Sequence, residues 1–337
     1  MPRGPLLGPD SFGATIGADG LPLDPSDPAD AEIIRWQTTS PYYVTPPAER
    51  RHKHIVDTLI RERAVRLSQS KLWFAYRAGL NKLLGYNRAK AMVDTAGRMN
   101  AADAFAHASG LLGMKLDVTG LDHVPCSGAF ILALNHPTGI ADGLAIHDAL
   151  APVRPDVIIF VNGDAIRLNP RLTPKLIPVE WHPDKKSRAK SRETLVATKA
   201  AFEAERAVVI FPSGRLAYMD DDAPGGPTLT ERRWMPTVAN LAKRYDVPVV
   251  PANIRSRNSW LYYWFNNVDE ELRNMTLFHE LLNKKGQTFE IRIGEAIPHE
   301  ALLEDDQEAA DELRAYVTDE DRGVRAGRTF AQWRGAD

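Results

Sequence analysis

The 337-residue sequence predicts an α/β protein with a largely parallel central sheet flanked by helices, and two features of its later part support this fold class. From about residue 116 onwards, short runs rich in β-branched residues alternate with helical patterns. Several of these runs, such as VIIFV and AVVIF, are apolar throughout, as in strands covered on both faces. Strand–helix alternation of this kind is typical of layered α/β folds.

The predicted elements follow from these patterns. Seven runs fit strands, at residues 116–118, 130–134, 157–161, 176–179, 208–211, 248–254 and 288–293. Helical periodicity falls between and after them, at residues 139–150, 190–205, 230–245, 269–283 and 306–316. Upstream of the first strand, residues 49–85 and 89–112 also show helical spacing of apolar residues.

Composition divides the chain into four predicted regions. Residues 1–48 are rich in Pro, Gly and Asp with little periodicity, which predicts a flexible arm. A basic helical subdomain is expected over residues 49–112, ahead of the α/β domain at 113–300. A C-terminal helix and tail complete the chain at 301–337.

The net charge of −2 conceals a basic stretch from Arg50 to Lys90. It holds eleven Lys and Arg residues against Asp57 and Glu62, an excess of nine positive charges. Such an excess indicates an anionic partner, either a membrane surface or a nucleic acid. No zinc-finger spacing or RNP-like motif supports nucleic-acid binding, so a surface of anionic lipids is the favoured partner.

The sequence lacks a membrane-spanning run and a secretory signal, and this predicts where the protein acts. No run reaches the length of a membrane-spanning helix, and the first twenty residues lack the apolar core of a secretory signal. The single cysteine, Cys126, excludes an intrachain disulfide. We therefore expect a cytoplasmic protein that acts peripherally at the inner face of the cell membrane.

The most informative stretch is ILALNHPTGIADG, residues 131–143. Asn135 and His136 follow a predicted strand, a place where open α/β sheets bind ligands. Turn residues then bring Asp142 to the start of the next helix. A carboxylate on one imidazole nitrogen would fix the tautomer and let the other nitrogen accept a proton from a hydroxyl. The alternative is that Asp142 only caps the helix.

This stretch resembles the NHx4D motif of the glycerolipid (lysophospholipid, PlsC-like) acyltransferase family. Three later stretches are similar to the other blocks of that family: GDAIRLNPRLTPKLIPVEWHPDKKSR, FPSGR in place of the usual FPEGTRS, and VPVVPANI. The resemblance covers roughly residues 116–295. The nearest branch is that of bacterial acyltransferases labelled hemolysins, to judge from FPSGRL and NIRSRNSWLYYWF.

The resemblance implies a reaction and a set of residues. His136 would be the general base, Asp142 would orient it, and an acceptor hydroxyl would attack the thioester of acyl-CoA or acyl carrier protein. It implies no metal and no cofactor beyond this donor. Asn135, Thr138, Ser213, Gly214 and Arg215 would contact substrate, as would Arg188 and Arg192, which lie near a predicted helix start suited to anions.

Departures from the family pattern leave the acceptor open. Ser213 replaces the usual Glu of the third block, and the Thr-Arg pair is missing, although Arg215 directly follows Gly214. A lysophospholipid, glycerol 3-phosphate and a lyso-aminolipid all remain acceptors to consider. Two other classes also remain: a non-catalytic lipid-binding relative, and a hydrolase or metal enzyme using His136, Asp142, His147 and Asp148.

Two segments have open interpretations. The aromatic run SWLYYWF, residues 259–265, fits an acyl-chain groove, a bilayer interface or ordinary core packing. The acidic segment 220–227 comes soon after FPSGR and fits either a cover for the site or a solvated loop.

Overall fold

The structure is a computed structural model, and it describes residues 16–43, 54–180 and 183–335. Helices occur along the whole described chain. In chain order they are α1 (Pro28–Thr39), α2 (Ile55–Arg63), α3 (Val65–Ser68), α4 (Trp73–Leu83), α5 (Tyr86–Ala96), α6 (Ala101–Leu112), α7 (Ile140–Leu150), α8 (Asp164–Leu168), α9 (Arg188–Glu203), α10 (Thr237–Tyr245), α11 (Trp260–Val268), α12 (Glu270–Met275), α13 (Leu277–Leu282), α14 (Asp306–Thr318) and α15 (Phe330–Arg334).

The strands alternate with the later helices. They are β1 (Lys115–Thr119), β2 (Phe130–Leu134), β3 (Ile158–Asn162), β4 (Leu176–Val179), β5 (Ala207–Ile210), β6 (Tyr218–Asp220), β7 (Thr228–Thr230), β8 (Val249–Arg255) and β9 (Thr288–Ile293). Each of the seven predicted runs forms a strand whose ends differ from the prediction by at most one residue. Every residue of β2 and β5 is buried, as expected for strands covered on both faces.

The chain forms two compact units. The first comprises residues 1–110, 161–194 and 264–282, and the second comprises 111–160, 195–263 and 283–337. This division does not coincide with the predicted boundaries near residues 112 and 300, which stay a prediction. The predicted arm at 1–48 lies partly outside the described residues, and its later part contains α1.

In the second unit, strands lie in the order β1-β9-β8-β2-β5-β3. The pairs β1–β9, β8–β2, β2–β5 and β5–β3 are parallel, and β8–β9 is antiparallel. In the first unit, β4 lies beside the end of β3, where the Gly163 N–H donates to the Val179 carbonyl (3.2 Å). The predicted fold class, a largely parallel sheet flanked by helices, is confirmed.

Several predicted helices differ from the observed ones. Residues 230–245 were expected to form one helix, but α10 begins only at Thr237, after Pro236. Proline restricts the preceding residue to extended backbone, and Met235 instead donates its N–H to the Pro212 carbonyl (3.0 Å). The stretch before it forms the antiparallel hairpin β6–β7, whose tip is the acidic segment 220–227.

Other boundaries also shift. The predicted helix at 269–283 is divided at Thr276 into α12 and α13, and that at 89–112 is divided between α5 and α6. Helix α1 was missed although it carries a recognisable start signal. The Asp27 carboxylate accepts the Ala29 and Asp30 N–H groups, and Pro28 stands in the first turn.

An ion-pair network joins α2 and α8 within the first unit. The buried Arg167 guanidinium donates twice to Glu62 (2.8 and 2.9 Å) and once to Asp164 (2.8 Å). Arg63 also pairs with Asp164 (2.8 Å). Burial alone would lower the pKa of Arg167, but these carboxylates raise it above its usual value. Burial likewise opposes ionisation of Asp164, yet Arg63 and Arg167 hold the pKa of that carboxyl below its usual value.

We expect Arg167→Met to lower the free energy of unfolding by about 3–5 kcal/mol, because it removes a buried cation that pairs with both Glu62 and Asp164. Urea denaturation followed by circular dichroism measures this. The stabilisation of Asp164 is present at neutral pH and is lost as pH falls through its lowered pKa, so the deficit should narrow in acid.

The control is Lys199→Met, which breaks an exposed ion pair with Glu203 and should cost less than about 1 kcal/mol. Equal effects of the two substitutions would show that the Arg167 network does not stabilise the first unit.

Candidate active site

The candidate site lies where three parallel strands end. Because β8, β2 and β5 are adjacent and parallel, their carboxyl ends meet at one edge of the sheet. Asn135 follows β2 and is fixed to β8 by its side-chain amide. Its Nδ2–H donates to the Ile254 carbonyl (2.9 Å) and its Oδ1 accepts the Ile254 N–H (2.8 Å). Asn135, predicted to contact substrate, therefore uses both amide groups to hold this loop in place.

His136 and Asp142 form the predicted pair. The His136 Nδ1 lies 2.9 Å from Asp142 Oδ2. A carboxylate only accepts hydrogen bonds, so Nδ1 carries the proton and a neutral ring keeps Nε2 as an acceptor. The sharp turn between the two residues depends on Gly139, whose φ is +92°. A Cβ there would also lie only 3.2 Å from a methyl group of Leu216.

Asp142 is completely buried and accepts hydrogen bonds from three residues. Besides His136, Oδ2 accepts the N–H groups of Thr138 (2.8 Å) and Gly139 (2.9 Å), and Oδ1 accepts the Thr138 hydroxyl. Asp142 is thus both the cap of α7 and the partner of His136, so the two interpretations of the sequence hold together. The Thr138 hydroxyl, predicted to meet substrate, is buried and directed at this carboxylate.

The His136 ring has a packing contact on its face in addition to the Asp142 hydrogen bond at its edge. It packs on Phe211, at the end of β5, with ring centroids 4.2 Å apart and planes inclined by 31°. The side chain is 13% exposed. Its backbone carbonyl accepts the Ala217 N–H (2.9 Å). Because Nδ1 is occupied by Asp142, Nε2 is the nitrogen available for a reacting group.

Glu231 is a second buried carboxylate at this site, and sequence reasoning missed it. Its Oε2 accepts the His136 backbone N–H (3.0 Å), and its Oε1 accepts the Trp234 indole N–H (3.1 Å). Burial raises the pKa of Glu231, although the His136 and Trp234 N–H groups that donate to it and the neighbouring Ser213 hydroxyl act in the opposite direction. Glu231 lies outside the four stretches that resemble the family's blocks, and its place directly after the hairpin brings it here.

The third block, FPSGR, forms a tight turn after β5. The Ser213 hydroxyl donates to the Arg215 carbonyl (2.9 Å), and Gly214 has a φ of +61°. Ser213 is buried, whereas Arg215 is exposed. The structure therefore brings Ser213 and Gly214 to the same sheet edge as His136, and leaves the Arg215 guanidinium in solvent, open to an anionic group.

Other predicted features lie elsewhere or have mixed environments. Arg188 and Arg192 are exposed in the first turns of α9, in the first unit. The aromatic run forms most of α11, and it is divided between two environments. Its buried side chains are Leu261, Tyr262 and Phe265, and its exposed ones are Trp260 (75%) and Trp264 (53%).

Two features of the described chain concern membrane-spanning helices and metal sites. Over residues 16–43, 54–180 and 183–335, no helix is long and apolar enough to cross a bilayer. In the same residues, no group of three or more His, Cys, Asp and Glu side chains is arranged to hold a metal ion. His147 pairs with its neighbour Asp148 (3.2 Å) and not with the His136–Asp142 pair.

Two relatives are named for an acyltransferase activity. The chain is 25% identical over 193 residues to the lyso-glycine lipid O-acyltransferase of Phocaeicola vulgatus, an alignment covering 56% of this chain and 66% of that protein. It is 22% identical over 214 residues to the lyso-glycine lipid O-acyltransferase of Bacteroides thetaiotaomicron, covering 62% and 74%.

A solved structure is also similar. The crystal structure of the 1-acyl-sn-glycerophosphate (LPA) acyltransferase PlsC from Thermotoga maritima matches with a TM-score of 0.39 and 14% identity, covering 79% of this chain and 97% of that one.

A family model described as Acyltransferase matches residues 62–320, more than three quarters of the chain, and this span contains the whole sheet edge with His136, Asp142 and Ser213. The sequence resemblance is confirmed at the level of the family: this chain belongs to the acyltransferases, enzymes that transfer acyl groups.

Proposed function

We propose that this chain transfers a fatty acyl group from a thioester to a hydroxyl of a lysolipid with a small polar head group, with His136 as general base. The observation that carries the proposal is the buried His136–Asp142 pair at the carboxyl ends of β8, β2 and β5. It gives a fixed tautomer and a free Nε2 at the sheet edge where ligands bind.

The proposed reaction needs only this pair and two substrates. His136 Nε2 accepts the proton of the acceptor hydroxyl as its oxygen attacks the thioester carbonyl carbon. The resulting tetrahedral intermediate collapses, the carbon–sulfur bond breaks, and the imidazolium returns the proton to the leaving thiolate. The products are an ester and a free thiol. Asp142 stabilises the imidazolium through Nδ1, while hydrogen bonds from Thr138 and Gly139 hold its carboxylate in place.

The acceptor proposal rests on the third block and on the relatives. Arg215 is an exposed guanidinium beside the turn at Ser213 and Gly214, and it can pair with a carboxylate or a phosphate. Both relatives reported above are named for a lyso-glycine lipid. A lyso-glycine lipid or a related lyso-aminolipid is therefore the acceptor we favour over a lysophospholipid or glycerol 3-phosphate.

The donor is proposed to be acyl-CoA or acyl carrier protein, with no further cofactor. Arg188 and Arg192 remain proposed anion-binding residues. They are exposed at the start of α9, where unpaired backbone N–H groups favour negative charge.

We further propose that the protein works at the inner face of the cell membrane. Trp260, Trp264 and Val268 are exposed at four-residue intervals on α11, so they share one side of that helix. Tryptophan favours the bilayer interface. Within the basic stretch, Arg63, Arg66, Arg77 and Lys90 are paired with carboxylates, whereas Lys71, Lys82 and Arg88 are exposed and available to anionic lipids.

The first prediction concerns product formation. Purified protein given palmitoyl-CoA or palmitoyl acyl carrier protein, with lyso-glycine lipid, lysophosphatidic acid and glycerol 3-phosphate, should yield a diacyl product detected by mass spectrometry. We expect the largest yield with lyso-glycine lipid and none with His136→Ala. Silence of both proteins on every pair, with lyso-glycine lipid still bound, would instead indicate a non-catalytic lipid-binding relative.

The second prediction concerns the orienting carboxylate. Asp142→Asn should lower kcat by roughly 10²-fold or more, because an amide no longer fixes the Nδ1–H tautomer or stabilises the imidazolium. His147→Gln is the matched control, since it changes another buried polar residue of α7 and should keep kcat within about threefold. Equal losses in both variants, at equal thermal stability, would contradict the assigned roles.

The third prediction concerns the membrane. Trp260→Ser together with Trp264→Ser should weaken binding to vesicles containing phosphatidylglycerol roughly fivefold or more, because two interfacial side chains are removed. Flotation of the protein with vesicles measures the bound fraction. Leu195→Ser, at a similarly exposed apolar residue of α9, is the control. Unchanged flotation of the double variant would remove α11 from the membrane contact.

A further inference from the structure

Glu231 enters the site directly after the hairpin β6–β7, outside the four stretches that resemble the family's blocks. The chain leaves β5, makes the turn at Ser213–Arg215, forms β6 and β7, and returns to place Glu231 directly after β7. The side chain is buried, with the residue only 6% exposed. A glutamate is seldom buried without strong partners, because removing its charge from water is costly.

The partners of Glu231 are mostly parts of the candidate site. Its Oε2 accepts the backbone N–H of His136 (3.0 Å), and its Oε1 accepts the Trp234 indole N–H (3.1 Å). The Ser213 hydroxyl also favours its ionised form. Its own backbone carbonyl accepts Arg314 Nη1 (3.0 Å), which holds the main chain at this point.

We propose that Glu231 is a positioning residue that fixes the peptide plane before His136. The inference rests on the proposed function, since it assigns Glu231 a role in placing the general base. Asp142 holds the imidazole edge, and Glu231 holds the backbone from which the imidazole projects.

Glu231 can position the imidazole because its hydrogen bond fixes the direction of the His136 N–H. A hydrogen bond to a charged acceptor is roughly twice as strong as a neutral one, so the His136 N–H is held firmly towards Glu231. The orientation of that peptide sets the direction of the Cα–Cβ bond, and thereby the place of Nε2. Small displacements of a catalytic group are costly, with about 1 Å able to reduce a rate 10²-fold.

Ser213 makes the proposal testable by exchange. Both residues are buried, and the Ser213 hydroxyl is near enough to Glu231 to lower the pKa of its carboxyl. The double substitution Ser213→Glu with Glu231→Ser moves the carboxylate from residue 231 to residue 213. It keeps the total side-chain volume. Ser213→Gln with Glu231→Ser fills the same space without a charge and is the matched control.

The experiment measures kcat and KM with palmitoyl-CoA and lyso-glycine lipid, together with melting temperatures. Glu231→Gln should lower kcat roughly 10- to 100-fold with KM changed by less than about threefold, since the loss affects the base and not substrate binding. The carboxylate exchange should recover at least about tenfold of that loss, and the Gln control should recover none. A wild-type kcat in Glu231→Gln, or equal recovery by exchange and control, would overturn the proposal.

A second readout does not need activity. Amide hydrogen exchange of the peptide containing His136 should be faster in Glu231→Gln than in the wild type, and slower again in the carboxylate exchange variant. If the wild type transfers no acyl group, the proposed function fails. Hydrogen exchange at His136 still tests the positioning role of Glu231 in that case. Unchanged exchange at His136 in Glu231→Gln would overturn the positioning role even in an active enzyme.

Discussion

The site depends on the hydrogen bonds that the buried Asp142 carboxylate accepts. This carboxylate lies fully out of solvent and gathers the His136 ring, two backbone N–H groups and the Thr138 hydroxyl. Each donor offsets part of the cost of burying the charge, and together they determine the conformation of the turn between β2 and α7. The cap of the helix and the orientation of the imidazole therefore cannot be separated. A chain that lost Asp142 would lose the start of α7 along with the partner of His136.

The hairpin β6–β7 links the remaining parts of the site. The chain enters the hairpin from the turn at Ser213–Arg215 and leaves it at Glu231. The Glu231 carboxylate, the second at this site, then accepts the His136 backbone N–H. Arg232 secures the base of the hairpin, since its Nε–H donates to the Leu216 carbonyl (3.1 Å) and its guanidinium lies 4.7 Å from the centre of the Tyr218 ring.

Sequence reasoning located the strands and the His136–Asp142 pair because both leave local signals. Apolar runs such as those of β2 and β5 identify strands within a residue, and turn residues after β2 identify the place where a histidine and an aspartate meet. The hairpin and Glu231 leave no such signal. Strands of three residues with half-buried side chains lack a period, and the contact of Glu231 with His136 exists only through tertiary folding. The same applies to α11, where apolar content alone could not separate the buried Phe265 from the exposed Trp264.

These contacts also explain how the third block can depart from the family pattern without disturbing the proposed base. His136 is fixed by Asp142 at Nδ1, by Phe211 at the ring face and by Glu231 at the backbone N–H, and none of these is contributed by residues 213–215. Ser213 satisfies its hydroxyl on the Arg215 carbonyl, and the Arg215 side chain is left to solvent. The exposed Arg215 side chain can therefore change without altering the three contacts that hold His136, because it takes part in none of them.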